Sequence, residues 1–470
     1  MISMQNDCSV SGLTFDNRDE FKRRPAAERL VTLLTSDIDV SPLVIDGHWG
    51  TGKTEFTHKT INLLNEKHGE DCQTIYIDAF KADHTDDPLI TVIAAVAQRL
   101  DSESGEKGQE LVEKAAPLMK TFLNIGGKAT LYALLGRYAE AIPDSVEKAL
   151  EESSSTLDNV ITQIIRQQQK AEESLEKLKD LLKEVAHEIP LIIFVDELDR
   201  CRPNFAVNML EIIKHVFDVP NIKFVLVCNL SQLERTINHQ YGEGAAARRY
   251  LDKFIKFLFK MPEEVGERYD RSKASTKHAE ALINNSQILR GAGINVRGVF
   301  DYLDRIITTN DLSLREVETL VRHMEIVEQL YPGMFFTLKG GIISYGEALL
   351  SILGVYIHCF DQKLADRLSK DWDYGSITHM WEILGESKES IEEKLKGPSI
   401  DHPSEVIACA LYSDIVNSDK LDQLPNWKDY VVPRIGNYFG NSFSNRALGQ
   451  LGHKYSSVIE ETLRSLRFNI

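Results

Sequence analysis

The stretch PLVIDGHWGTGKT, Pro42 to Thr54, decides how the rest of this chain is read. It begins with a short apolar run, Leu43-Val44-Ile45. It continues as Gly47-His48-Trp49-Gly50-Thr51-Gly52-Lys53-Thr54, which fits the P-loop pattern G-x-x-x-x-G-K-[ST] at every fixed position. The spacing has a physical reason: a strand must stop and a helix must start while the backbone curls around phosphate. Gly47, Gly50 and Gly52 permit the unusual φ values and the close approach. Free backbone N–H groups and the positive end of the following helix then face the β- and γ-phosphates. Lys53 adds a mobile positive charge, and Thr54 offers a hydroxyl to Mg²⁺. Phe56, Ile61, Leu63 and Leu64 continue the pattern as a helix. The eight residues Gly47, His48, Trp49, Gly50, Thr51, Gly52, Lys53 and Thr54 are therefore the candidate nucleotide-binding set.

A second segment supplies the other half of such a site. Leu191-Ile192-Ile193-Phe194-Val195-Asp196-Glu197 is an unbroken apolar run closing on two acids. It reads as a central parallel strand buried on both faces, and ligands bind at the carboxyl ends of such strands. Asp196 is the candidate metal residue, holding Mg²⁺ through water beside Thr54. Glu197 is the candidate for polarising the attacking water. Gln73 to Phe80 and Ile222 to Asn229 read as further strands, with helices near Pro88–Leu100, Ala206–Val216 and Gln232–Asn238. This alternation predicts a doubly wound α/β core. Asn229, at a strand end, holds the lytic water, senses the γ-phosphate or simply forms a turn.

The surroundings are mainly helical. Residues 1–17 read as a mobile or loosely docked arm and 18–262 as the core. A helical insert falls at about 101–188, whose clearest helical pattern is 156–188. From about residue 262 onward no strand series is evident. A helical lid over 263–330 and a helical C-terminal domain over 331–470 are expected, and no internal repeat is seen. The formal net charge of −17 argues against broad electrostatic binding to nucleic acid, leaving only a local basic groove open. Six scattered cysteines without metal-like spacing fit a reduced, cytoplasmic protein. The N-terminus lacks a signal-peptide pattern. No run reaches the ~18 apolar residues of a spanning helix; residues 117–142 and 341–360 come nearest and read as buried or amphipathic helices.

At this point the motifs resemble a family. The loop with its internal Trp49 looks like the P-loop of the KAP NTPases. Val195-Asp196-Glu197-Leu198-Asp199-Arg200-Cys201-Arg202-Pro203 is similar to that family's D-[DE]-L-D-R-C-x-P signature. Arg249 to Ile255 resembles its Y-L-x-K-[IF]-[IF] segment, and Ser313-Leu314-Arg315-Glu316-Val317 its N/S-x-R-E-[VL] helix start. The likeness covers roughly residues 15 to 330. It implies an ATPase of the additional-strand class, related to STAND and AAA+ proteins, using ATP and Mg²⁺. It also implies a family whose bacterial members often serve in defence against phage. Arg315 is positioned by this resemblance as a phosphate sensor in cis. Arg200, Arg202 and the pair Arg248–Arg249 are candidates for a finger in trans across a subunit interface, or partners in salt bridges.

Two departures stand out. Family members frequently carry paired membrane helices between the two motifs, whereas residues 101–155 here are too polar, which implies a soluble form. Glu197 also stands where many members have Asp, and its longer reach favours hydrolysis. The expected architecture is an α/β P-loop NTPase with a parallel central sheet flanked by helices, plus the helical insert, lid and C-terminal domain. The expected function is Mg-dependent ATP hydrolysis that drives conformational change or assembly in a homo-oligomer. The alternative is a nucleotide-gated oligomeric switch with slow turnover. A DNA-dependent motor fits the acidity poorly. No nuclease, protease or deaminase constellation is visible in 330–470, so any effector is expected to be a separate protein.

Overall fold

The computed structural model describes residues 12–104, residue 111 and residues 175–467, apart from 86, 243–246, 266–271, 291–293, 295–296, 336, 340–341, 371, 396–399, 417, 425 and 440–453. Residues 1–11, most of the expected insert and the apolar stretch 117–142 lie outside these. The chain divides into two units, Met1–Pro262 and Glu263–Ile470.

The first unit is built on five parallel strands: β1 (Leu43–Asp46), β2 (Gln73–Asp78), β3 (Leu191–Asp196), β4 (Ile222–Cys228) and β5 (Phe257–Lys260). Their order across the sheet is β2-β3-β4-β1-β5. The P-loop strand β1 thus pairs with β4 on one side and β5 on the other, and β4 separates it from the acidic strand β3. This is the additional-strand arrangement. Continuous apolar runs can form such a sheet because both faces are covered. On one face Ile192, Phe194, Val225 and Val227 pack with Ala27, Leu30, Val31 and Leu34 of α1 (Arg24–Thr35). Phe56, Leu63 and Leu64 of α2 (Lys53–His68) complete that layer. On the other face Ile193, Val195, Phe224 and Leu226 meet the helices Pro88–Ser104, Pro203–His215 and Leu230–Tyr241. The period-2 alternation of strand side chains assigns each residue to its layer. Of the predicted helix over 156–188, residues 175–188 are helical and the rest lies outside the described residues.

Two features depart from the reading of the sequence. The edge strand β5 has no counterpart in it, although Phe257-Leu258-Phe259 is an apolar run as long as Leu43-Val44-Ile45; its four residues are partly covered or exposed. Its ladder is continued by Lys256 N–H donating to Pro42 O and Met261 N–H to Asp46 O. Residues 13–18 are fixed to α2: Phe15 is buried edge-on against Phe56, Asn62 donates to Leu13 O, and Lys59 donates to Arg18 O.

The second unit is helical, with two short antiparallel hairpins at Glu264–Val265/Ser272–Lys273 and Thr337–Lys339/Ile342–Ser344. One buried cluster runs from Ala279 to Leu466. Its centre is the helix Tyr345–Phe360, the described apolar stretch that came near a spanning helix by composition; it is a core helix here. It lies close to the helix Tyr455–Leu466, where a Cβ on Gly354 would stand 3.0 Å from Thr462 Cβ. Among the described residues no helix is long and apolar enough to cross a membrane.

Phe194 is fully buried in β3 between Ile192 and Asp196. Phe194→Ala should cost about 3–5 kcal/mol in urea unfolding; a cost below about 1 kcal/mol would contradict the packing described.

Candidate active site

β1 ends at Asp46, and the chain turns through Gly47 to Gly52 before α2 begins at Lys53. Gly50 and Gly52 have φ of 77° and 80°, in the left-handed region that favours glycine. A Cβ at Gly47 would meet Thr51 Oγ1 at 2.9 Å and Met261 at 3.3 Å. The turn is closed by Thr51 Oγ1, which donates to His48 O at 2.8 Å. Lys53 Nζ donates to Gly47 O at 2.7 Å and His48 O at 3.0 Å, so its ammonium lies inside the curl. The helix start at Gly52 carries no side-chain cap, which leaves its first N–H groups for an anion. His48 and Trp49 are exposed at the tip of the loop. Arg23, buried just before α1, donates to Thr51 O and to Pro262 O, both at 2.9 Å, and so braces the loop from behind.

The structure brings the predicted metal pair together. Asp196, 1% exposed at the end of β3, has the Thr54 hydroxyl near enough to favour its charged form. Tyr76 OH donates to its Oδ2 at 3.0 Å, and Glu197 N–H donates to Oδ1 at 2.7 Å. Burial pushes the carboxyl up to about 6, against the lowering effect of those three groups. Tyr76 itself is held far above the usual phenol range by burial and then by the Asp196 charge, so it remains a donor. A hydroxyl and buried carboxylate oxygens short of positive charge are a donor set suited to a hard divalent cation such as Mg²⁺.

Glu197 adopts φ 62°, a strained conformation for a non-glycine residue, and its N–H also donates to Val227 O. Its carboxylate pairs with Arg200 Nη1 at 2.9 Å. Asn229 caps the helix Leu230–Tyr241, accepting from Gln232 N–H at 3.3 Å, which is turn formation in physical terms. Arg315 is exposed on the first turn of the helix Leu314–Leu330 in the second unit. Of the other arginines, Arg202 donates from its backbone and Nε to Asp83, and Arg248 pairs with Glu234 and Asp252. Arg249 is exposed.

Four contributors were not legible in the sequence. Tyr76 comes from β2, where Asp78 stands in register with Asp196 and Tyr76 two residues earlier shares its face. Asp199 accepts from Trp49 Nε1 at 2.6 Å. Asp46 accepts from Leu230 N–H at 2.9 Å, tying the end of β1 to the helix after β4. Arg23 is the fourth. The only sequence signal for any of them is the acidic repeat in Asp196-Glu197-Leu198-Asp199.

Loop, strand order and acidic strand together define a P-loop nucleoside triphosphatase. The chain belongs to the KAP family, whose P-loop domain matches residues 23–331. It is also similar to the Phage T7 exclusion protein of Escherichia coli strain K12, at 22% identity over 320 residues, 64% of this chain and 40% of that protein. The chain thus spans about two fifths of that relative's length. A structure of the Aeropyrum pernix ORC2 protein, in ADPNP–ADP complexes, matches at 15% identity over 94% of this chain and 86% of the other, with a TM-score of 0.27, too low to bear on the fold.

An acid whose folded-state pKa is raised from 3.8 to about 6 supports the fold below its unfolded pKa and loses that support as pH rises through about 6. The difference corresponds to roughly 3 kcal/mol. Without nucleotide or metal, Asp196→Asn should therefore gain thermal stability over the wild type between about pH 4 and about pH 8. A melting-temperature difference that stays constant over that range would contradict the buried, unbalanced charge.

Proposed function

We propose that this protein binds ATP with Mg²⁺ and hydrolyses it, using the cycle to drive a conformational change or assembly. The observation that carries this reading is that the phosphate loop and the acidic strand end meet: Trp49 of the loop donates to Asp199, and the Thr54 hydroxyl acts on the Asp196 carboxyl. In the proposed site, Lys53 leaves the Gly47 and His48 carbonyls to engage the β- and γ-phosphates. The N–H groups of the loop and of the α2 start hold the remaining oxygens. Thr54 and, through water, Asp196 would hold the Mg²⁺, which when bound offsets the charge of the phosphates. Glu197 orients and deprotonates the attacking water, for which its carboxylate must turn away from Arg200. Asn229 contributes polarity beside that water, and Arg315 senses the γ-phosphate.

We assign residues 18–262 as the catalytic core, 263–330 as a lid and 331–470 as a domain that meets a partner. A role in anti-phage defence, as one component beside a separate effector, is supported by family membership and by the name of the phage-exclusion relative. Self-association is part of the same proposal. The five described cysteines are free thiols, which supports a cytoplasmic location.

The ion pair between Glu197 and Arg200 favours a second reading, in which turnover is slow and bound ATP sets an oligomeric state. Turnover well below ~0.01 s⁻¹ with an ATP-dependent change of size would select it, since intrinsic GTPases set that slow scale.

Lys53→Ala should abolish binding of Mg·ATP in calorimetry. Glu197→Gln should retain binding and lose turnover by about a hundredfold or more. Unchanged hydrolysis by Glu197→Gln would remove the water assignment.

A further inference from the structure

Trp49 stands at the tip of the phosphate loop with 47% of its surface exposed, yet its indole N–H is committed. It donates to Asp199 Oδ2 at 2.6 Å. Asp199 is 4% exposed in the single-turn helix Leu198–Arg200 directly after β3. This hydrogen bond therefore ties the two halves of the site together.

A carboxylate this buried is costly unless its charge is met. Here the Trp49 N–H meets it from the phosphate loop. A phenyl ring at position 49 would occupy similar space and could not do this.

We propose that Asp199 is a positioning residue for the triphosphate. Through Trp49 it draws the loop tip onto the acidic segment and so fixes the loop for the phosphates. This rests on the reading of the site as a Mg·nucleotide site. The ligand class is a nucleoside triphosphate, and the affected step is its binding.

Calorimetry with Mg²⁺ and a slowly hydrolysed ATP analogue tests it on the full chain. Trp49→Phe should weaken binding about tenfold or more, the size of a lost hydrogen bond to a charged group. Asp199→Ala should lose a similar amount, and Asp199→Asn, whose Oδ1 can still accept from the indole N–H, should lose less. Trp49→Phe combined with Asp199→Ala should lose no more than either change alone, because both remove the same tie. Wild-type affinity in Trp49→Phe would overturn the proposal. Losses that add in the double variant would overturn it too, since the two residues would then act independently. Failure of the wild type to bind the analogue would overturn the nucleotide reading itself, and the proposal with it.

A spectroscopic signature accompanies this test. The chain has four tryptophans, and Trp372, Trp381 and Trp427 all lie in the second unit. Wild-type emission minus that of Trp49→Phe isolates Trp49, and the analogue should change this difference. A difference that the analogue leaves untouched would contradict the proposal, since the phosphates would then bind without reaching the loop that Trp49 anchors.

Discussion

Everything in the first unit is arranged around one buried carboxylate. Asp196 is the last residue of β3, and the five preceding residues of that strand are buried with it. Hydrophobic burial of the strand carries the acid into an environment that disfavours its charge. Two hydrogen bonds oppose that effect, from the Tyr76 hydroxyl of β2 and the Glu197 N–H, and the nearby Thr54 hydroxyl of α2 acts in the same sense. Even so the group stays well above an ordinary aspartate. A cation beside it is the charge that would complete the balance, and a phosphate-binding loop next door is what would bring one.

The strand order makes this meeting possible. With β4 between β1 and β3, the loop after β1 and the acids after β3 are not on adjacent strands. The gap between them is bridged by side chains. Trp49 reaches Asp199, and Asp46 accepts from the N–H of Leu230 after β4. Glu197 takes its place at the cost of a left-handed backbone conformation, which turns the chain out of the sheet and into the short helix Leu198–Arg200. Arg200 pairs with Glu197 and Arg202 with Asp83. Both arginines are thus engaged within the chain, which makes them anchors of this turn.

What was legible in the sequence is what is local. The loop glycines, Lys53 and Thr54 are contiguous, and their spacing is imposed by backbone geometry. β3 announces itself because a strand covered on both faces must be apolar at every position. The contributions of Tyr76, Asp199 and Arg23 depend on which elements become neighbours, and no periodicity records that. β5 escaped because three apolar residues, Phe257-Leu258-Phe259, carry no motif that marks them as a strand. The two hairpins of the second unit are shorter still. Asn229 illustrates the opposite limit. A polar residue at a strand end was visible, but its side chain caps a helix, and the same pattern serves either purpose.

The most direct test of the central claim is a crystal structure of this protein grown with Mg²⁺ and a slowly hydrolysed ATP analogue. The account predicts a metal on the Thr54 hydroxyl with Asp196 beside it, and Lys53 moved from the Gly47 and His48 carbonyls to the terminal phosphates. A triphosphate bound elsewhere, with Lys53 still on those two carbonyls, would contradict it.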